Sequence, residues 1–113
     1  DGSIELNIQE LKTISHYNLN IKTFVINNGG YVSMHNWADT FFKGRRLDNP
    51  KDTGTGTLNF KNIAKAFDLD HYLIHNFKEI DNDLRKIMKN NKPLFIEVIT
   101  DPRQKIYDAF KDY

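Results

Sequence analysis

The run Phe24-Val25-Ile26 constrains the fold of this chain most. It lies inside a stretch from Ile21 to Asn27 that reads as a strand, and the run itself does not alternate apolar with polar residues. A strand with one wet face alternates; an unbroken apolar run marks a strand covered on both faces, as in a parallel sheet. Such a sheet needs helices between its strands, and the sequence supplies them. Ile4, Ile8, Leu11 and Ile14 fall at helical spacing, so residues 4 to 16 are expected to form an amphipathic helix with Ser3 as N-cap and Glu5 in its first turn. A second helix is expected from Val32 to Phe42, and a short one on Phe60, Ile63, Ala64 and Phe67. "HYLIH" at 71–75 is a candidate short strand. Asn76, followed by Glu79, is a capping-box pattern opening a helix with Phe77, Ile80, Leu84 and Ile87 on one stripe. After Pro93, "LFIEVIT" is a further strand. The expected class is therefore α/β: a mostly parallel sheet with helices on both faces, in one domain spanning 1–113. In such sheets ligands sit beyond the carboxyl ends of the strands.

Residues 43–58, "KGRRLDNPKDTGTGTL", break this pattern with Gly44, Pro50, Gly54 and Gly56. A connection of that length suits a mobile loop that closes over a site. The charge is nearly balanced, 16 basic against 15 acidic residues, which gives no electrostatic case for nucleic acid or an anionic membrane. No stretch approaches the roughly 18 apolar residues of a membrane span. The chain has no cysteine, so disulfides and thiolate metal sites are excluded, in keeping with the cytoplasm. The four histidines form no His-Glu-x-x-His pattern, and "DTGTGT" lacks the Lys-Ser/Thr of a P-loop. The chain does not open on Met, as expected of a piece of a longer protein or a processed one.

Two turn-forming stretches carry the chemistry. Asp1-Gly2-Ser3 precedes the first expected helix, and Asn27-Asn28-Gly29-Gly30 follows the first expected strand. With Asp1 at the end of a neighbouring strand, it and Asn28 would face one crevice. A carboxylate, an amide oxygen and a backbone carbonyl are hard oxygen ligands that suit Mg2+, which completes its shell with phosphate oxygens and water. The start of the first helix offers backbone N–H groups to an anion. Gly2 permits close approach of a phosphate, and the Ser3 hydroxyl can donate to it. The combination reads as a Mg2+–diphosphate site. Either stretch alone also suits a plain turn.

The pattern "DGS…NIQEL…NN" resembles the cofactor motif of thiamine-diphosphate enzymes, in which the second Asn lies 27 positions after the Asp, as Asn28 lies after Asp1. "NIQELKTISHYNLNIKTFVINNGGY", "NFKNIAKAFDLD" and "KPLFIEVITDP" resemble the acetolactate synthase branch. The resemblance implies the thiamine-diphosphate-binding fold, with its first strand and the motif's leading Gly upstream of Asp1. It implies Asp1, Asn28 and the Gly30 carbonyl as Mg2+ ligands, and Gly2, Ser3, Asn28, Gly30 and Tyr31 in contact with the cofactor. It implies a substrate pocket at Met34, His35 and Trp37, where Trp37 takes the place of a Trp that shapes the pocket for the second 2-oxo acid. From spacing alone, Trp37, Phe41 and Phe42 suit core, subunit interface or pocket wall. The run Tyr31-Val32-Ser33-Met34 departs from the branch, which carries Gly and Met where Val32 and Ser33 stand. "GGYVSMHNWADTFFKGR" looks closer to acetolactate-synthase-like proteins of surface-polysaccharide biosynthesis.

The function so implied is the C-terminal cofactor-binding domain of an acetolactate-synthase-like lyase or transferase acting on 2-oxo acids. The remaining domains, and a homodimer or homotetramer with its active site at the subunit interface, would complete it. The Glu that activates the cofactor would come from another domain, leaving this chain inactive alone. The alternatives are a thiamine-diphosphate-dependent 2-oxo-acid decarboxylase and a non-catalytic α/β module for a nucleotide or Mg2+–phosphate.

Overall fold

The computed structural model describes residues 1–45 and 56–103. Most of the expected 43–58 loop therefore lies outside the described residues. The described part is a three-stranded sheet in the order β1 (Lys22–Asn27), β3 (Leu94–Ile99), β2 (Asp70–Ile74). Both pairings are parallel: Phe24 stands opposite Ile96, which on its other side stands opposite Tyr72. Four α-helices accompany the sheet: α1 (Glu10–His16), α2 (Val32–Phe41), α3 (Phe60–Ala66) and α4 (Ile80–Lys89). Short 3-10 turns occupy Gly2–Leu6 and Phe77–Glu79.

Each face of the sheet has its own core. On one face Val25 and Phe95 pack with Leu11 of α1, Phe60 and Ala64 of α3, and Leu69. On the other, Leu94, Ile96 and Val98 pack with Ile74 and with Ile87 of α4. Central β3 is thus buried on both sides, with Phe95 and Ile96 at 0% exposure. Burying side chains of this size contributes about 1.5–3 kcal/mol each. The expected helix–sheet–helix layering holds.

Two local expectations are corrected. The stripe Ile4, Ile8, Leu11, Ile14 does face one core, but no single helix runs from 4 to 16. Residues 2–6 tighten into a 3-10 turn, and α1 begins only at Glu10. The cause is the anchoring of the first turn. The Asp1 carboxylate accepts the Ser3 N–H at 3.0 Å, so Asp1 and not Ser3 is the cap. The Gly2 N–H donates to the Gly30 carbonyl at 2.9 Å. Asn7 and Glu10 then make i to i−3 bonds, to Ile4 and Asn7, the tighter pattern of a 3-10 segment. Likewise, the capping-box Asn76 caps the 3-10 turn through the Lys78 N–H, and α4 follows it.

The second correction concerns β1. Val25 is buried, but Phe24 and Ile26 are 43% and 46% exposed. They point to the α4 face of the sheet, and the core under α4 is built from β2 and β3. Among the described residues no strand pairs with the outer edge of β1. An apolar edge strand with bare large side chains is a template for association. Residues 1–113 expressed alone are therefore expected to self-associate as concentration rises, checked by light scattering. A monomer at every concentration would contradict this.

Candidate diphosphate and cation site

The site forms where β1 ends. Asn27, its last residue, accepts the Gly29 N–H on its side-chain oxygen at 3.1 Å, and Gly29 has a φ of +76°. This is a side-chain-closed turn, with glycine at the left-handed position where it carries no steric penalty. The turn brings Gly30 back toward the end of β1. There its carbonyl receives the Gly2 N–H, while the Asp1 nitrogen donates to the Ile26 carbonyl. Two bonds therefore hold Asp1-Gly2 against a strand end more than twenty positions along the chain.

Tyr31 closes the corner. A methyl group built on Gly2 would lie 2.5 Å from a ring carbon of Tyr31. Glycine is required at position 2 because an aromatic ring occupies the space a side chain would need. The Tyr31 carbonyl caps α2, accepting the N–H groups of Met34 at 2.9 Å and His35 at 3.2 Å. A cleft opens beside this corner, lined by Asp1, Gly2, Glu5, Gly30, Leu58 and Phe60 among others.

Asn28 holds the most informative atom. Its side-chain oxygen is buried and has no hydrogen-bond partner among the described residues. Buried polar atoms are almost always paired, because leaving one unpaired costs about 1–3 kcal/mol. An acceptor-only oxygen left unpaired at the mouth of a parallel strand is suited to a cation. The neighbouring donors have the right chemistry. Asp1 uses one oxygen to cap Ser3 but, as a carboxylate, accepts about four bonds in all. The Gly30 carbonyl takes one N–H and retains a second lone pair. Among the described residues no three His, Asp or Glu side chains gather. A mixed set of one carboxylate, one amide and one carbonyl is the kind of site these residues can form, and it fits Mg2+.

The other expected residues are placed differently. Met34 and Trp37 stand exposed on α2, Trp37 at 59% with its ring 4.6 Å from that of Phe41. Neither lines the cleft beside Asp1. Of the three roles open to Trp37 and Phe41, a place in the core of the described residues is excluded by this exposure. His35 is half-buried one position from Met34. The N–H groups of Gly2, Ser3 and Ile4, expected to be open to an anion, are engaged by Gly30, the Asp1 side chain and the Asp1 carbonyl.

One group lies outside the expected set. Glu97, in the middle of β3, is joined to Asn27 of β1 at 2.6 Å and to His71 of β2 at 2.8 Å. Its signal in the sequence is a lone charge in the apolar run "LFIEVI", since carboxylates are seldom buried unless paired.

Residues 1–98 match the family model of the thiamine pyrophosphate enzymes' C-terminal TPP-binding domain. The chain therefore belongs to the thiamine pyrophosphate enzyme family, as its C-terminal cofactor-binding domain. Among curated proteins it is similar to the acetolactate synthase large subunit of Porphyra purpurea, 32% identical over 97 residues, which cover 86% of this chain and 16% of that protein. It is 31% identical over 99 residues to the acetolactate synthase large subunit of Lactococcus lactis, covering 88% of this chain and 16% of that one. Acetolactate synthase 1, chloroplastic, of Zea mays is 30% identical over 122 aligned positions, covering 99% of this chain and 19% of the relative. The chain thus spans less than one fifth of the length of these relatives. Among the described residues no helix is long and apolar enough to cross a membrane.

Proposed function

We propose that this chain holds Mg2+ and, through it, the diphosphate of thiamine diphosphate, within a longer acetolactate-synthase-like enzyme that acts on 2-oxo acids. The observation that carries the reading is the buried Asn28 oxygen, unpaired among the described residues, in the turn whose Gly30 carbonyl holds the Gly2 N–H. Asp1, Asn28 and Gly30 would supply three oxygens to the cation. With the first-turn N–H groups engaged, the Ser3 hydroxyl and the metal are the groups that would meet the diphosphate, and Gly2 and Tyr31 would shape the floor beneath it.

Thiamine diphosphate, when bound, supplies the carbanion chemistry for breaking and making bonds beside a carbonyl, and the protein's part is to bind and orient it. This chain's residues would fix the diphosphate end and so help to orient the cofactor. The 43–58 segment would close over the site, and Met34, His35 and Trp37 on α2 would face substrate across a subunit interface in a homodimer or homotetramer. The exposure of Met34 and Trp37 supports that placement. The cysteine-free composition suits the cytoplasm.

Product analysis of the full-length enzyme tests the substrate reading. Pyruvate with a second 2-oxo acid or an aldehyde is expected to release CO2 and give a condensation product. Release of acetaldehyde alone would favour a decarboxylase, and no turnover of any 2-oxo acid would overturn the reading. Residues 1–113 alone are expected to turn over no pyruvate, because no Glu of this chain takes the activating role; measurable turnover would contradict that.

A further inference from the structure

We propose that Glu97, paired with His71, is the positioning residue for the cation-binding turn: it sets the orientation of the Asn27 amide and so the placement of Asn28. This rests on the Mg2+–diphosphate reading above. Glu97 is the one charged residue of β3, and its side chain is only 12% exposed, that of His71 15%. A carboxylate so placed is costly unless its oxygens are bonded. Both are. Oε1 accepts from Nδ2 of Asn27 at 2.6 Å, and Oε2 meets Nε2 of His71 at 2.8 Å. One residue from each of the three strands therefore joins in a single chain across the sheet.

The direction of those bonds is what matters. An ionised carboxylate only accepts, so it turns the NH2 of the Asn27 amide toward itself and the amide oxygen away. That oxygen accepts the Gly29 N–H at 3.1 Å, closing the turn in which Asn28 lies. A flipped amide would set oxygen against carboxylate at one end and NH2 against N–H at the other. Glu97 thus determines which way the amide faces, the amide closes the turn, and the turn places the unpaired Asn28 oxygen. Nothing in this chain of contacts needs Glu97 to touch cation or cofactor. A pair placed only for stability would have no reason to end at this turn, and a well-packed apolar pair would serve stability as well.

The test uses the full-length protein, with thiamine diphosphate and Mg2+ titrated by calorimetry. Glu97→Ala is expected to weaken binding by about 10- to 100-fold, the usual effect of removing a group that orients a metal ligand. Glu97→Gln, which keeps an oxygen to accept from Asn27, is expected to recover most of the loss. Parent affinity in folded Glu97→Ala, or a loss in Glu97→Gln equal to that in Glu97→Ala, would overturn the proposal. Should Glu97→Ala not fold, Asn27→Ala keeps the Glu97–His71 pair and carries the same expectation, with parent affinity again overturning it. Asn28→Ala separates the two levels. A loss there with none in Glu97→Ala rejects the positioning role alone, whereas parent affinity in Asn28→Ala rejects the site and the proposal with it.

Discussion

Asn28→Ala in the full-length enzyme is expected to weaken binding of thiamine diphosphate with Mg2+ by about 100-fold, or roughly 2.8 kcal/mol, without lowering the melting temperature of the cofactor-free protein. The two halves of that result come from one atom. Among the described residues the Asn28 side-chain oxygen is buried and bonded to nothing, so its removal takes no hydrogen bond from them and relieves an unpaired acceptor. The same removal would leave the proposed cation one ligand short. Asp1→Ala is expected to behave differently, losing affinity and also loosening the first turn, because the Asp1 carboxylate caps the Ser3 N–H as well. Calorimetric titration and thermal unfolding on the same samples measure both. A drop in the cofactor-free melting temperature of Asn28→Ala, with affinity kept, would make Asn28 a structural residue and contradict the assignment.

Phe95→Ala is expected to cost about 3–5 kcal/mol, the range for emptying a fully buried aromatic site. Phe95 is at 0% exposure in the central strand and packs at 6.1 Å, centroid to centroid, against Phe60 of α3. Val25 and Leu11 complete the same cluster, so the cavity would touch two strands and two helices. Total stabilities of folded domains are about 5–15 kcal/mol, and a loss of this size should leave much of the protein unfolded near body temperature. Denaturant unfolding of the full-length protein, with hydrogen exchange on the β3 amides, measures it. Unchanged protection of those amides would contradict the placement of Phe95 at the centre of the fold.

The fold was legible wherever a segment's own pattern decides its structure. The apolar run at β3 sits as its pattern implies, and on α4 Ile80 and Ile87 face the core, whereas Phe77, expected on the same stripe, lies in the preceding 3-10 turn and is exposed. Residues 4 to 16 misled because apolar spacing reports which side chains face the core, not whether the backbone between them is one helix. Tethers to Ile26 and Gly30, remote in sequence, tightened the first turn and left its N–H groups engaged. The run at β1 misled for a related reason: apolar composition marks surface that needs covering, and here Phe24 and Ile26 remain bare. For the site, the pairing of Asp1-Gly2 with the turn after β1 was suggested by two turn motifs at the ends of neighbouring elements and sharpened by their resemblance to the thiamine-diphosphate motif, since their spacing alone does not decide it. The Tyr31 ring against Gly2 and the Glu97–Asn27–His71 chain were not, since both depend on strand register and on where a ring comes to lie. The one hint available was the isolated Glu within "LFIEVI".

The end of β1 is proposed to bind the cofactor through a divalent cation. The most direct measurement is calorimetric titration of the full-length protein with thiamine diphosphate, first in Mg2+ and then after chelation with EDTA. The expected result is saturable binding of the cofactor in Mg2+ that is lost on chelation and restored when Mg2+ is returned. Binding of equal strength in EDTA would contradict it.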